Sequence, residues 1–266
     1  MGATGDPEVG GVPLGRFTAG LGRISWRQGL FERVLRGVIR AWCWAVGWRV
    51  TVHGLEALPR APGRLPGGGC VIAVVPHRAW IDPFLLLAAW PTGAARLAWM
   101  GDGATMTRTR WRRWLLPRLG MVPIAPGSGG PRAYAELAAA VLAAGGSLVI
   151  FPEKGPPSPP EATRTIAPGF AYLALRSGAP VVPVVLGGTH RICRNVPFSV
   201  DLLPALAPFA EGPLDDPFTA TGRAAARAMV RAYAGAVSPT LRARTADADT
   251  GRPARERWRW LGTLFH

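Results

Sequence analysis

His77 and Asp82, five residues apart, directly follow the apolar run Val71-Ile-Ala-Val-Val-Pro76. Near neutral pH an imidazole can take a proton from a substrate hydroxyl. A carboxylate on its other ring nitrogen holds the tautomer and stabilises the imidazolium that forms. The pair could therefore activate a nucleophile. Residues five apart on a regular helix sit about 140° from one another, so part of Arg78 to Ile81 must be a turn if the two side chains are to meet. The β-branched run, bounded by Gly67-Gly-Gly69 and Pro76, reads as an internal strand with His77 at its carboxyl end. Open α/β sheets keep reactive groups at that end. Asp82 has a second reading, because Asp-Pro ahead of Phe84-Leu-Leu-Leu-Ala-Ala89 is a helix start, with Asp82 as N-cap and Pro83 at the first helical position. The two roles are compatible. A histidine beside a strand can also be structural, so context has to decide.

That context comes about seventy residues downstream. There Ala144-Gly-Gly-Ser147-Leu-Val-Ile-Phe-Pro-Glu153-Lys154-Gly155 again runs a strand into a charged turn. Together the two segments resemble the glycerophospholipid acyltransferase family, which includes 1-acylglycerol-3-phosphate acyltransferases. That family is marked by His-x-x-x-x-Asp, a later Phe-Pro-Glu-Gly block and a downstream Val-Pro-Val segment. The corresponding stretches here are His77 to Asp82, Phe151-Pro-Glu153 and Ala179-Pro-Val-Val-Pro183-Val-Val-Leu186, and the resemblance spans roughly residues 30 to 205. His-x-x-x-x-Asp alone is a weak signal; three blocks in matching order are more specific.

The resemblance implies a membrane-associated O-acyltransferase that moves a fatty acyl group from acyl-CoA or acyl carrier protein to a lysophospholipid or related lipid acceptor. It makes His77 the general base and Asp82 its orienting partner, and puts Phe151, Pro152, Glu153, Lys154 and Gly155 at the acceptor. Attack on the thioester is direct, since no serine or cysteine lies beside His77 in sequence. Two departures bear on the acceptor. The family's Glu-Gly-Thr-Arg stands here as Glu153-Lys154-Gly155-Pro156, and the arginine of a second block falls at Pro126 in Gly120-Met-Val-Pro-Ile-Ala-Pro126. Both remove cations that would grip glycerol phosphate, leaving Lys154, Arg132 and Arg164 as nearby substitutes. Lys154 is the sole lysine of the sequence, which fits either a local need for an ammonium or a single retained codon. Glu153 has its own alternative as a turn carboxylate accepting backbone N–H groups.

Composition sets the wider frame. A chain of 266 residues, 48% hydrophobic, suits one domain with appended segments. The expected division is a flexible N-terminus over 1–25, an amphipathic interfacial helix over 26–48, the acyltransferase domain over 49–240 and a basic tail over 241–266. A formal net charge of +15 calls for an anionic partner. Nucleic acid and an anionic membrane surface both qualify, and an arginine bias from a G+C-rich genome would produce the same charge. Eleven tryptophans and the lack of a nucleic-acid-binding motif favour the membrane, so no nucleic acid is expected. Three scattered cysteines and four scattered histidines offer neither a disulfide framework nor a metal-ligand spacing, so no metal or other cofactor is expected.

The first twenty residues do not make a signal peptide. Arg33, Arg36, Arg40 and Arg49 interrupt the most apolar N-terminal stretch, which rules out a spanning helix there. On a helical projection Phe31, Leu35, Val38, Ile39, Trp42 and Val46 share one face and Arg33, Arg36 and Arg40 the opposite one. That pattern fits a helix in the membrane interface, on the cytoplasmic face of the cell membrane, or an ordinary surface helix. The basic-aromatic stretch from Arg108 to Arg118 suits lipid, a nucleic-acid groove or a solvated flank.

The remaining pattern alternates. Strands are predicted near 49–53, 70–75, 95–99, 120–124, 147–151 and 181–186, with helices near 83–90, 104–116, 131–144, 168–177 and 219–235. The fold class that follows is α/β, with a mostly parallel or mixed central sheet flanked by helices and preceded by the amphipathic N-terminal helical segment. The glycine-rich loop Pro126 to Pro131 lacks the P-loop ending, while Pro156-Pro-Ser-Pro-Pro160 would make a stiff wall beside the site. Arg242 to Gly251 reads as flexible, with a basic-aromatic end from Arg255 to Leu261 as a membrane contact or a disordered tail. Two other functions remain open: a non-catalytic protein that binds anionic membrane surfaces on the same scaffold, and an acyl thioesterase in which His77 activates water.

Overall fold

The computed structural model describes residues 8–9, 12–13, 26–58, 69–79, 81–91, 96–102, 108–115, 120–124, 130–143, 145–153, 165–189, 196–207 and 213–249. The strands are β1 (Glu8–Val9), β2 (Val12–Pro13), β3 (Arg49–His53), β4 (Val71–Val75), β5 (Leu97–Asp102), β6 (Met121–Ile124), β7 (Ser147–Ile150), β8 (Val181–Gly187) and β9 (Pro197–Leu202). The helices are α1 (Trp26–Ala45), α2 (Asp82–Ala89), α3 (Arg110–Leu115), α4 (Gly130–Ala143), α5 (Gly169–Ser177) and α6 (Ala220–Asp249).

β4 and β8, the two most continuous apolar runs, are buried at every position and lie side by side at the centre of a seven-stranded sheet. Full burial is what strands covered on both faces require. The strand order is β3-β9-β8-β4-β7-β5-β6. From β8 to β6 all neighbours are parallel, whereas β9 runs antiparallel to β8 and carries β3 parallel to itself. The sheet is therefore mixed. β1 and β2 form a separate antiparallel pair within the segment expected to be flexible.

Successive residues of β4 point to opposite faces. Val71, Ala73 and Val75 pack with Leu142 of α4, Phe170 of α5 and Met229 and Tyr233 of α6. Ile72 and Val74 pack with Leu86 of α2 and with Trp90. α1 lies over α2, with Ile39 and Cys43 against Ile81, Leu85 and Ala88. Helices thus cover both faces, α1 and α2 on one side and α4, α5 and α6 on the other.

α1 starts where the 26–48 segment was expected to start and ends at Ala45, and it turns differently from the projection. Arg36 is buried, its Nη1 donating to the Trp90 and Pro91 carbonyls at 3.4 and 3.3 Å, and Arg40 Nε donates to the Ala88 carbonyl at 3.0 Å. These carbonyls end α2, where backbone acceptors lack helical partners and the helix dipole favours a cation. Glu32 bridges Arg36 and Arg96. Burial lowers the pKa of Arg36, with Glu32 opposing the shift. Val38, on the projection's apolar face with Ile39, is 60% exposed while Ile39 is buried.

Two C-terminal features also depart from the pattern. β9 was absent from the predicted strands because Ser199 and Asp201 interrupt its apolar run, yet both are buried. Arg244 pairs with the Asp201 carboxylate through Nε and Nη2, and Ser199 donates to the same carboxylate at 2.8 Å. That ion pair also corrects the reading of Arg242 onward as flexible, because α6 continues helical to Asp249 and this clasp ties it to the sheet.

Candidate active site

β4 ends at Val75, and Pro76, which has no N–H to offer a ladder, follows through a cis peptide bond. His77 leaves the sheet there. The chain then turns tightly, with the Asp82 N–H bonded to the Ala79 carbonyl at 3.1 Å, and enters α2. Asp82 is not the N-cap: Ile81 holds that position, and Pro83 supports the first turn. The Asp82 carboxylate instead turns back on the loop. Its Oδ2 accepts the Arg78 N–H at 2.8 Å, the Ala79 N–H at 2.9 Å and His77 Nδ1 at 2.9 Å. An ionised carboxylate only accepts, so Nδ1 carries the proton and Nε2 presents its lone pair. The Asp82 side chain is wholly buried while that of His77 is 45% exposed. The base can be reached, and its partner is sealed.

The second block arrives from β7, which pairs directly with β4. Phe151 stacks on the imidazole with ring centroids 4.1 Å apart and an interplanar angle of 24°. Pro152 is buried, its carbonyl accepting the Ala167 N–H at 2.7 Å, and Glu153 forms a bridge with Ile166. Glu153 Oε2 accepts the backbone N–H of His77 at 3.0 Å. The alternative role of Glu153 as a turn carboxylate is thus realised on the base's own loop. Of the predicted acceptor residues, Phe151 and Glu153 meet His77. Lys154, Gly155 and Arg164 lie outside the described residues, as do the side chain of Arg132, the proline loop 156–160 and the basic-aromatic end 255–261.

Topology places this meeting at a switch point of the sheet. β4 leads into α2 on one face of the sheet, whereas β7 leads into α5 on the other. Loops that diverge from the carboxyl ends of adjacent parallel strands leave an opening between them, the usual ligand site of open α/β sheets. Tyr233 of α6, which the sequence reading missed, supports this end of the sheet by donating to the Ala73 carbonyl of β4 at 3.1 Å. Burial raises its pKa well above the ordinary tyrosine value, and the Glu153 charge adds to the shift. Its one sequence signal is helical spacing with Ala226, Met229 and Val237, which marks a packed face and not a site. Among the described residues no group of three or more His, Cys, Asp or Glu side chains could hold a metal ion.

The acyltransferase family model matches residues 49–187, just over half of the chain, and includes both loops. The chain belongs to the acyltransferase family. Among solved structures it is similar to the crystal structure of the 1-acyl-sn-glycerophosphate (LPA) acyltransferase PlsC from Thermotoga maritima. The TM-score is 0.51 at 15% identity, over 76% of this chain and 78% of that one. At that identity the likeness concerns the fold. No curated protein matches the sequence significantly. In this acyltransferase the dyad can perform general-base chemistry: a hydroxyl placed against Nε2 gives up its proton as its oxygen attacks an acyl carbon.

Proposed function

We propose that this acyltransferase moves a fatty acyl group from acyl-CoA or acyl carrier protein to the hydroxyl of a lysophospholipid or related lipid acceptor. The observation that carries this reading is the buried Asp82 on Nδ1 of a half-exposed His77, at the carboxyl ends of the paired strands β4 and β7. The acceptor oxygen attacks the thioester carbonyl carbon as Nε2 takes its proton. The tetrahedral adduct collapses, the carbon–sulfur bond breaks, and the imidazolium returns the proton to the departing thiolate. The products are an ester and a free thiol.

The reading extends to an anionic membrane surface. Leu30, Val34, Val38 and Trp44 on the outward side of α1 are exposed, Trp44 by 83%, with Arg33 and Arg40 also exposed beside them. An apolar face rimmed by arginines suits lipid chains and phosphates together. A groove of about 330 Å³ continues it, lined by Arg40, Cys43, Trp44, Trp48, Val50 and Val52 among others. No helix among the described residues is long and apolar enough to cross a membrane.

The test incubates purified protein with labelled acyl-CoA or acyl carrier protein, a panel of lysolipids, and phosphatidylglycerol or phosphatidylcholine vesicles. Thiol release and the acyl product are followed together. Acceptor-dependent ester formation that vanishes in His77→Ala is expected. Free fatty acid made at the same rate with or without acceptor would mean thioester hydrolysis, and full turnover by His77→Ala would remove the base. Val38→Asp should weaken sedimentation with phosphatidylglycerol vesicles; unchanged sedimentation would take α1 out of the membrane contact.

A further inference from the structure

We infer that Glu153 is a positioning residue that acts through the backbone of His77. The inference rests on the acyl-transfer reading above and concerns how its base is held. His77 lies two residues past the last ladder pairing of β4, Val75 with Val185. Glu153 Oε2 accepts its N–H at 3.0 Å. Asp82 grips the ring at Nδ1 and Phe151 covers the ring face. Asp82 reaches the loop from the α2 side of the sheet, while Glu153 and Phe151 reach it from β7. Ring and backbone are therefore fixed from both the α2 segment and the segment after β7.

Asp82 holds the ring and the Arg78 and Ala79 amides, whereas Glu153 holds the amide of the base itself, so losing that bond lets the His77 backbone shift and carry Nε2 away from the attacking oxygen. Misplacement of a reacting group by about 1 Å costs roughly a hundredfold in rate. The bridge from Glu153 to Ile166 and the bond from the Ala167 N–H to the Pro152 carbonyl hold the carboxylate's own segment in place. The negative charge of Glu153 is also felt by Tyr233, whose hydroxyl is bonded to β4. Glu153 thus sits where the strand under the base and the loop carrying it converge.

Three substitutions separate this role from acceptor binding. Glu153→Gln keeps an oxygen at the same reach and loses the charge, Glu153→Asp keeps the charge on a shorter arm, and Glu153→Ala loses both. Positioning predicts that Gln stays within about fivefold of the parent kcat. Asp and Ala should fall roughly a hundredfold, with the acceptor KM within twofold throughout. An acceptor KM raised tenfold or more at a preserved kcat, or Asp outperforming Gln, would overturn it. A readout free of turnover is the backbone amide of His77 in protein labelled with ¹⁵N-histidine, where the four histidines give four signals, assigned by His77 substitution. That proton should move upfield in Asp and Ala and stay in Gln. An unmoved amide in Asp would overturn the proposal whether or not the parent transfers acyl groups, so its failure is distinct from failure of the functional reading. If the Ala variant does not fold, the Gln and Asp pair decides alone.

Discussion

Replacing Asp82 with Asn removes one negative charge while leaving an oxygen where Oδ2 now accepts three hydrogen bonds. At the 2.9 Å separation of Nδ1 and Oδ2, an effective dielectric constant of about 20 gives about 6 kcal/mol between imidazolium and carboxylate. A neutral acceptor keeps about half the strength of a charge-assisted bond, so the substitution forfeits about 3 kcal/mol. The charge on His77 develops only as the acceptor's proton transfers, so the loss falls on the transition state. The expected result is a kcat lowered about a hundredfold at nearly unchanged KM. Stability changes for a different reason. The Asn amide nitrogen must stand where Oδ1 lies buried without a hydrogen-bond partner among the described residues. That place is unsatisfied in the parent as well, so the cost comes from the Arg78 and Ala79 bonds, which lose about half their strength with the charge, about 2 kcal/mol together, or about 4 °C of Tm for a chain of this size. Steady-state thiol release and a thermal melt measure the two effects. A variant within tenfold of the parent kcat would show that Asp82 serves only as a clamp on the Arg78 and Ala79 amides.

Burial pushes the Cys70 thiol up to about 11 against the opposing bond from Ser147 at 3.3 Å, so the folded protein keeps it protonated where the unfolded chain would ionise it. Its stabilisation is complete below pH 9 and is lost as pH rises from 9 to about 11. Cys70→Ala should flatten the fall in Tm across that window by about 2–3 kcal/mol of stability, and an unchanged slope would contradict the assignment. Tyr233→Phe should do the same above pH 10, since its raised pKa also favours the neutral form. Arg244→Ala leaves the buried Asp201 without its cation, and chemical denaturation should register a loss of about 3 kcal/mol. Hydrogen exchange should show faster amides from 240 to 249; full protection there would mean that α6 does not need the clasp. Gly54 has a φ of 74°, and a side-chain carbon added to it would meet the Leu202 carbonyl oxygen. Gly54→Ala should therefore cost about 3 kcal/mol or more, and an unshifted Tm would refute the close approach of β3 to the end of β9.

Much of the sheet was legible because its central strands are short β-branched runs between glycines and prolines. β4 and β8 therefore stand where periodicity places them, and His77 at the end of β4 follows directly. The turn between His77 and Asp82 was also legible, since five residues on one helix could not bring the two together. What stayed hidden depends on partners far along the chain. Arg36 looks like a surface cation until the carbonyls of Trp90 and Pro91 are seen beside it. Asp201 looks like a break in an apolar run until Arg244 neutralises it. Tyr233 is one more apolar position on α6 until its hydroxyl finds Ala73. A helical projection ranks faces by hydrophobicity and cannot weigh a buried polar group that has found its partner.

Strand order carries the deepest part of the site. The chain runs from β4 through α2 to β5, yet β7 and not β5 lies beside β4. Neighbouring strands are about 4.8 Å apart. With β5 in that place, the loop after β7 would start one strand further out, roughly 10 Å from β4, too far for Glu153 to reach the His77 amide at 3.0 Å. The same insertion sends the connections to α2 and α5 toward opposite faces, which makes the carboxyl ends of β4 and β7 a switch point of the sheet. The His77 and Glu153 segments are thus chemically joined only through a topology in which β7 enters between two strands made before it. Neither local run encodes that step. Burial on both faces fits β7 to this place, with Leu148 and Val149 packed against clusters on opposite faces of the sheet, but β5 meets the same condition through Ala98 on one face and Leu97 and Trp99 on the other, so burial alone does not choose between them.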